Sequence, residues 1–270
     1  MNVRFWGVRG SIPTPEPNLL RYGGNTTCLE IGTPNVGEPV IIDAGSGIRA
    51  LGDELQNRSA RRIHILFTHF HWDHIQGLPS FAPLFQPGVE IVFYTTRTAE
   101  EAESLLSVQM ADPFFPVTFA EAGSQVVFKQ VEWGREFAIG LLKVEPLPLN
   151  HPQGATGFRL ESGGHVLVHA SDHESGVAEI DAGLVRAAKG ADLLVMDAQY
   201  TPEEYKSKVG WGHSSYAHAT SAAQAAGVKQ LILFHHDPAH DDVFLDQMLA
   251  EAQQLFSATA MAREGKAIEF

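Results

Sequence analysis

Four residues able to hold a metal ion fall within six positions of one another in Thr68-His69-Phe70-His71-Trp72-Asp73-His74. Imidazole nitrogen and carboxylate oxygen suit zinc, iron or manganese, and four such groups in one loop exceed what a single ion needs. The surplus points to two ions sharing one site. With 13 histidines in 270 residues, chance would place an H-x-H-x-D-H run in about one such chain in a thousand, which favours a metal site over a histidine-rich surface turn. The run follows Ile63–Thr68, an apolar stretch read as a strand. If the backbone stays extended, His69, His71 and Asp73 face one side, with His74 where the chain turns toward a helix.

Further ligands are expected at other strand ends. His151 follows a long apolar run in Leu149-Asn150-His151-Pro152, Asp172 sits in His169-Ala170-Ser171-Asp172-His173, and His235 or His236 ends Leu231-Ile232-Leu233-Phe234. Adjacent residues of a strand face opposite ways, so only one of His235 and His236 reaches the ions.

The elements that must position these groups are short. Strand-like runs are Val3–Val8, Thr27–Ile31, Pro39–Asp43, Ile63–Thr68 and Val89–Tyr94 in the first half, each followed by Gly, Pro, His or Asp. The second half adds Gln125–Val131, Phe137–Leu147, Thr156–Leu160, Val166–Ala170, Leu193–Asp197 and Leu231–Phe234, with Lys266–Phe270 as a closing edge strand. Helical spacing marks Ala99–Met110, Val177–Lys189, Tyr216–Ala226 and Val243–Phe256. No low-complexity linker separates the halves. The pattern predicts an α/β architecture of two sheets face to face with helices outside, one domain over residues 1–270.

Composition narrows the partners. Lys+Arg 19 against Asp+Glu 32 gives a net charge of −13, with 44% hydrophobic and 19% charged residues, a globular balance that excludes wholesale disorder. Basic residues gather only at Arg58, Arg61 and Arg62, too few for a nucleic-acid track. A small phosphorylated substrate is therefore expected, and no long nucleic acid. No apolar run approaches the roughly 20 residues of a membrane span. The opening Met1–Gly7 lacks the basic and apolar regions of a signal peptide, and the single cysteine, Cys28, forbids an intrachain disulfide, so a cytoplasmic location is expected. The aromatic 114–119 segment is a candidate for core or for a homodimer contact.

His69–His74 with His151, Asp172 and His235 resembles the metallo-β-lactamase fold superfamily of metallohydrolases, and Asp43-Ala44-Gly45 matches its early D-x-G. The resemblance covers nearly the whole chain and implies a four-layer αββα sandwich. It implies that one ion takes His69, His71 and His151, the other Asp73, His74 and His235, and that Asp172 bridges them. Asp43 would orient the loop. Within the superfamily, Gly212-His213-Ser214-Ser215 leading to Leu231-Ile232-Leu233-Phe234-His235 resembles ribonuclease Z and its phosphodiesterase relatives, with Asp197 where they carry an acidic partner for that histidine. Gly7–Pro13 and Tyr22–Thr27 resemble the branch that includes cyclic phosphodiesterases. Two departures stand out: Phe234 occupies the usual threonine position before the last ligand, and there is no Gly/Lys-rich arm.

These readings predict a hydrolase for a small phosphodiester, such as a cyclic nucleotide. Two divalent cations, zinc first with manganese or iron compatible, would hold the phosphoryl oxygens and lower the pKa of a bridging water that attacks phosphorus. Asp73 would orient the nucleophile, and His213, steadied by Asp197, would protonate the leaving oxygen. The rival readings are a thioester or lactam hydrolase of the same fold and a non-catalytic ligand-binding signalling protein.

Overall fold

The computed structural model describes residues 1–33 and 37–270 and arranges them as two seven-stranded sheets. The strands are β1 (Asn2–Gly7), β2 (Cys28–Gly32), β3 (Val40–Ile42), β4 (Arg62–Leu66), β5 (Glu90–Thr95), β6 (Gln125–Gln130), β7 (Phe137–Ile139), β8 (Leu142–Leu149), β9 (Ala155–Ser162), β10 (His165–Ala170), β11 (Leu193–Asp197), β12 (Gln230–Phe234), β13 (Thr259–Met261) and β14 (Ala267–Glu269). The first sheet runs β14-β1-β2-β3-β4-β5-β6, the second β13-β12-β11-β10-β9-β8-β7. Each is mixed. Strands β3 to β6 are parallel in one and β10 to β13 in the other, and the remaining neighbours are antiparallel.

The helices are α1 (Ile48–Asn57), α2 (Trp72–Ile75), α3 (Ala99–Gln109), α4 (Ala178–Ala187), α5 (Pro202–Tyr205), α6 (Tyr216–Ala226) and α7 (Asp242–Leu255). Side-chain alternation sorts the apolar residues into three cores. On β5, Ile91 and Phe93 pack with Ile48, Leu51 and Leu55 of α1 and Leu106 of α3, whereas Val92 and Tyr94 point into the space between the sheets. On β12, Leu231 and Leu233 pack with Leu184, Ala223 and Leu245 of the second helical layer, while Ile232 and Phe234 join the inter-sheet core. Parallel strands covered on both faces need such continuous apolar runs. The layers are αββα, as the resemblance implied. Among the described residues, no helix is long and apolar enough to cross a membrane.

One expectation is corrected here, and two elements are added to those expected. Phe137–Leu147 is two strands, because Gly140, at φ 56°, reverses the chain inside the apolar run to pair β7 with β8. Helix α1 went unread although Ile48, Leu51, Gly52 and Leu55 form its buried stripe. The flanking glycines hid its start. Strand β13 was also missed, being only three residues long. Of the aromatic 114–119 segment, Phe119 is buried in the outer core and Phe115 packs against it, while Phe114 is 75% exposed.

Candidate metal centre

The carboxyl ends of the parallel strands from both sheets meet, which is where open α/β sheets place their ligands. Strand β4 leads to His69–His74 and β3 to Asp43 in the first sheet. In the second, β8 leads to His151, β10 to Asp172 and β12 to His235, while β11 ends on Asp197 itself.

Asp172 is the pivot of the cluster. Its Oδ1 lies 3.9 Å from His69 Nε2 and 3.7 Å from His151 Nε2. Its Oδ2 lies 3.2 Å from His74 Nε2 and 3.4 Å from His235 Nε2. Asp73 Oδ2 stands beside the second pair, 3.5 Å from His74 Nε2 and 3.2 Å from His235 Nε2. His71 Nδ1 joins the first pair, 3.1 Å from His151 Nε2. All seven predicted metal-ligating residues therefore converge. Of the four groups among the described residues close enough to hold an ion, His69 with His71 and His151, and Asp73 with His74 and His235, flank the Asp172 carboxylate. The other two contain it, one with His69 and His74 and one with Asp197, His213 and His235.

The extended reading of the motif is corrected by this grouping. Strand β4 ends at Leu66, His71 (φ −64°, ψ 153°) caps the short helix α2, and Asp73 lies on that helix. Asp73 thus leaves the His69/His71 side and joins His74.

The imidazoles are oriented by their outer nitrogens. His69 Nδ1 meets Thr68 Oγ1 at 3.1 Å, His74 Nδ1 meets Asp43 Oδ2 at 2.8 Å, and His151 Nδ1 donates to the Gly212 carbonyl at 2.8 Å. His71 Nε2 donates to Gln153 Oε1 at 2.7 Å, and His235 Nδ1 to Gln199 Oε1 at 3.0 Å. An outer nitrogen that donates leaves the inner one as a lone pair, the tautomer a metal requires. Inside the cluster, His69 Nε2 is buried without a hydrogen-bond partner among the described residues, and His74 Nε2, 3.2 Å from Asp172 Oδ2, lacks the angles of a good hydrogen bond. Buried polar atoms are rarely left so, and a cation would satisfy both.

Backbone strain concentrates here too. Among the described residues, the non-glycine ones with positive φ are Ser11, Asp43, Ser59, Gln153, Asp172 and His235. All but Ser59 belong to the site or hold it. The Ser11 N–H, for example, donates to Asp73 Oδ2 at 2.7 Å. Left-handed non-glycine residues cost about 1–3 kcal/mol each and persist where the surroundings fix them, often at functional sites. Gly212 is required by space as well as by its φ of +89°, since a Cβ there would stand 2.3 Å from His151 Nδ1.

His213 and Asp197 form the predicted pair, with Nδ1 donating to Asp197 Oδ2 at 2.7 Å. Asp197 also accepts from the backbone N–H groups of Ser214 at 3.0 Å and Asp172 at 3.2 Å, so one carboxylate fixes both site segments. His236 turns away and its Nε2 donates to the Ala262 carbonyl at 2.9 Å. His235, not His236, faces the cluster. Thr68, Gln153, Gln199 and the Gly212 carbonyl were not anticipated. Gln153, Gln199 and the Gly212 carbonyl act on residues far along the chain, so no local spacing marks them, and Thr68 meets the adjacent His69 through a hydroxyl, which is not among the metal-donor types.

The charges follow the geometry. Burial opposes protonation of His213, but Asp197 above all, with Asp172 and Asp73, outweighs it and raises the imidazole to about 9. Burial likewise opposes charge on His74, yet Asp172, Asp73 and Asp43 lift it well above its ordinary value. Burial and the neighbouring imidazoles push His69 well below its ordinary value. For Asp172, burial is overcome by His235 and His74, which hold the carboxyl well below the usual range.

A family model described as "Beta-lactamase superfamily domain" matches residues 39–236. A ribonuclease Z from Brevibacillus brevis is 40% identical over 97% of this chain and 94% of its own length. The human short-form tRNase Z (TM-score 0.65, 20% identical, covering 100% of this chain and 99% of its own) and a diphosphatase of the PhnP family (TM-score 0.72, 20% identical, 100% and 97%) share the fold. The chain belongs to the β-lactamase superfamily, on its ribonuclease Z-like branch. It is a metal-dependent hydrolase of phosphodiester bonds.

The expectation that long nucleic acid is excluded is overturned by this kinship, since the relative is named for ribonuclease activity. Net charge summed over a surface does not report the field at the site, where bound cations are often the largest local charges.

Proposed function

We propose that the chain cleaves phosphodiesters with two divalent cations, zinc first, held by His69, His71 and His151 on one side and Asp73, His74 and His235 on the other, with Asp172 between them. The observation that carries this reading is the division of Asp172, one oxygen toward each set. The donor set fits the group: imidazole nitrogens turned inward, the Asp172 and Asp73 carboxylates held ionised, and buried ring nitrogens of His69 and His74 without a good hydrogen bond. When bound, such cations supply Lewis-acid polarisation of the phosphoryl oxygens and a nucleophilic water near neutral pH.

The protein's own residues do the rest. Asp73, fixed by the Ser11 N–H, keeps an acceptor oxygen where a nucleophile is deprotonated and aligned. His213, whose Nδ1 is tied to Asp197, has Nε2 as its only other proton site and delivers that proton to the leaving oxygen. Asp197 keeps this tautomer and orientation.

The preferred substrates are small phosphodiesters, cyclic nucleotides among them. A cavity of about 710 Å³ beside His69 and His71 supports this, being within the range of ligand pockets. Cleavage of an RNA chain is the second reading, favoured by the ribonuclease Z relative.

The test combines elemental analysis with hydrolysis of bis(p-nitrophenyl) phosphate, cyclic nucleotides, a labelled RNA, a thioester and a chromogenic cephalosporin. Two ions per chain with turnover of the phosphodiesters alone is the expected result. Turnover of only the thioester or the cephalosporin would overturn the reading, and two bound ions with no turnover would favour a binding protein. RNA cleavage without small-substrate turnover would select the second reading.

A further inference from the structure

The two segments that carry the branch resemblance, Gly7–Pro13 and Tyr22–Thr27, hold none of the expected ligands. They meet at Arg9, whose backbone bridges Thr26 on one side and His236 on the other. Its side chain is fully buried, and its hydrogen bonds all go to carbonyls. Nε donates to Gly23 at 2.8 Å, Nη1 to Asp237 at 3.0 Å and His240 at 2.7 Å, and Nη2 to Leu19 at 3.3 Å. The carboxylates of Asp242 and Glu264 offset its charge. A buried guanidinium is costly unless its donors are filled, and the forked shape lets this one tie the 9–24 segment to the turn after β12.

What Arg9 fixes lies on one side of the cluster. The Gly10 N–H donates to the His236 carbonyl and the His236 N–H to the Val8 carbonyl, each at 3.0 Å. That pairing lays Gly10 against the His235 ring, where a Cβ would stand 2.4 Å from Nδ1 and Cε1. The ring has little room to yield, being stacked on His213 at 4.9 Å and on His74 at 5.5 Å between ring centres. Ser11, at a left-handed φ of 65°, gives its N–H to Asp73 Oδ2. From the second segment, Thr26 Oγ1 accepts from Gln76 Nε2 at 2.9 Å at the end of α2, and Thr27 Oγ1 stands 3.0 Å from His74 Nδ1. These contacts fall on Asp73, His74 and His235 or on the end of the helix that carries the first two. Among the described residues, His69, His71 and His151 make no hydrogen bond to either segment; Thr68, Gln153 and the Gly212 carbonyl hold them instead.

We propose that Arg9 and Gly10 are positioning residues for one of the two cations: they set the affinity of the Asp73, His74 and His235 donors and leave that of His69, His71 and His151 unchanged. The inference rests on the two-cation reading above and deepens it, because the centre then has two separately braced halves. Donors already held in place bind an ion more tightly, since less ordering is left to be done on binding.

Titration of the metal-free full chain with cobalt(II), followed by visible absorption and by competition with a chelator, tests this without turnover. Three imidazoles and two imidazoles with a carboxylate give the ion different bands. Arg9→Lys keeps the charge but cannot span four carbonyls, and should weaken one cobalt ion by about 10- to 100-fold while the other binds as in the unaltered chain. Gly10→Ala should weaken the same ion, with loss of the same bands, through its methyl group against His235. Gln153→Ala should do the reverse and weaken the ion whose bands the first two variants keep. Melting of the metal-free variants establishes that they fold, and Gly10→Ala decides the matter where Arg9→Lys does not. Equal weakening of both ions in Gly10→Ala, no weakening in either variant, or loss of the same bands in Gln153→Ala would overturn the inference and leave the two-cation reading standing. Fewer than two cobalt ions on the unaltered chain would sink that reading and the inference with it.

Discussion

The two sheets furnish the site in different ways. The first supplies His69, His71, Asp73 and His74 from one loop after β4, all within six residues. The second supplies His151, Asp172 and His235 one at a time, each just past a different strand, with Asp172 (φ 59°) and His235 (φ 63°) in left-handed conformations. A single loop can offer its donors through local turn geometry. Separate strands can do so only if their register is held, here by the parallel ladders pairing β10 with β11 and β11 with β12. Half of the centre is thus local chemistry and half is tertiary alignment.

The sharpest way to break this contrast is Asp172→Ala, which removes the only carboxylate shared by both donor sets. Bound metal and phosphodiester turnover should both fall to background, read by elemental analysis and hydrolysis rates. Retention of two ions would show that the six other donors hold both without the shared carboxylate. Replacing His213 with Ala should have the next largest effect, about a 10²–10⁴-fold fall in kcat with metal content preserved. Unchanged turnover would reduce His213 to a structural brace for Asp197.

The outer partners allow a finer comparison, because Gln153 holds His71 of the loop and Gln199 holds His235 of the strand ends. Gln153→Ala and Gln199→Ala should each weaken metal affinity by about 10- to 100-fold in competition with a chelator. A smaller loss for Gln153→Ala would mean that the loop needs less bracing than the strand ends.

The smallest effect concerns a buried histidine outside the site. His64, on β4, is pushed below its ordinary value by burial, which outweighs its hydrogen bond to Glu38. Its folded pKa lies below its unfolded one, so the unfolded chain binds more protons. Stability is therefore full above about pH 6.5 and declines as the pH falls through the folded value. His64→Gln should flatten that decline in denaturant titrations from pH 7 to 5, and an unchanged slope would assign the decline to other groups.

Much of this centre could be read from the chain. The H-x-H-x-D-H run announced metal, because those donor types in that density have few other uses. Apolar runs ending in His151, Asp172 and His235 marked the other residues that converge on the cluster, because strands buried on both faces leave their polar residues at the ends. The hairpin at Gly140 and helix α1 escaped because continuous apolar patterning masks a turn and flanking glycines mask a helix start. The exclusion of long nucleic acid failed because neither a sum of charges nor their spacing along the chain shows which of them the fold gathers on one face.

The sequence by itself determined which groups could bind metal and that they follow strands, since residue chemistry and alternation are properties of the chain. Only the tertiary structure decided that Asp73 leaves the side of His69 and His71, that His235 rather than His236 turns inward, and that Asp172 divides its oxygens between two donor sets. Those outcomes depend on the onset of a short helix, on left-handed residues and on the register of distant strands. Such features are fixed by packing between segments, and no run of neighbouring residues encodes them.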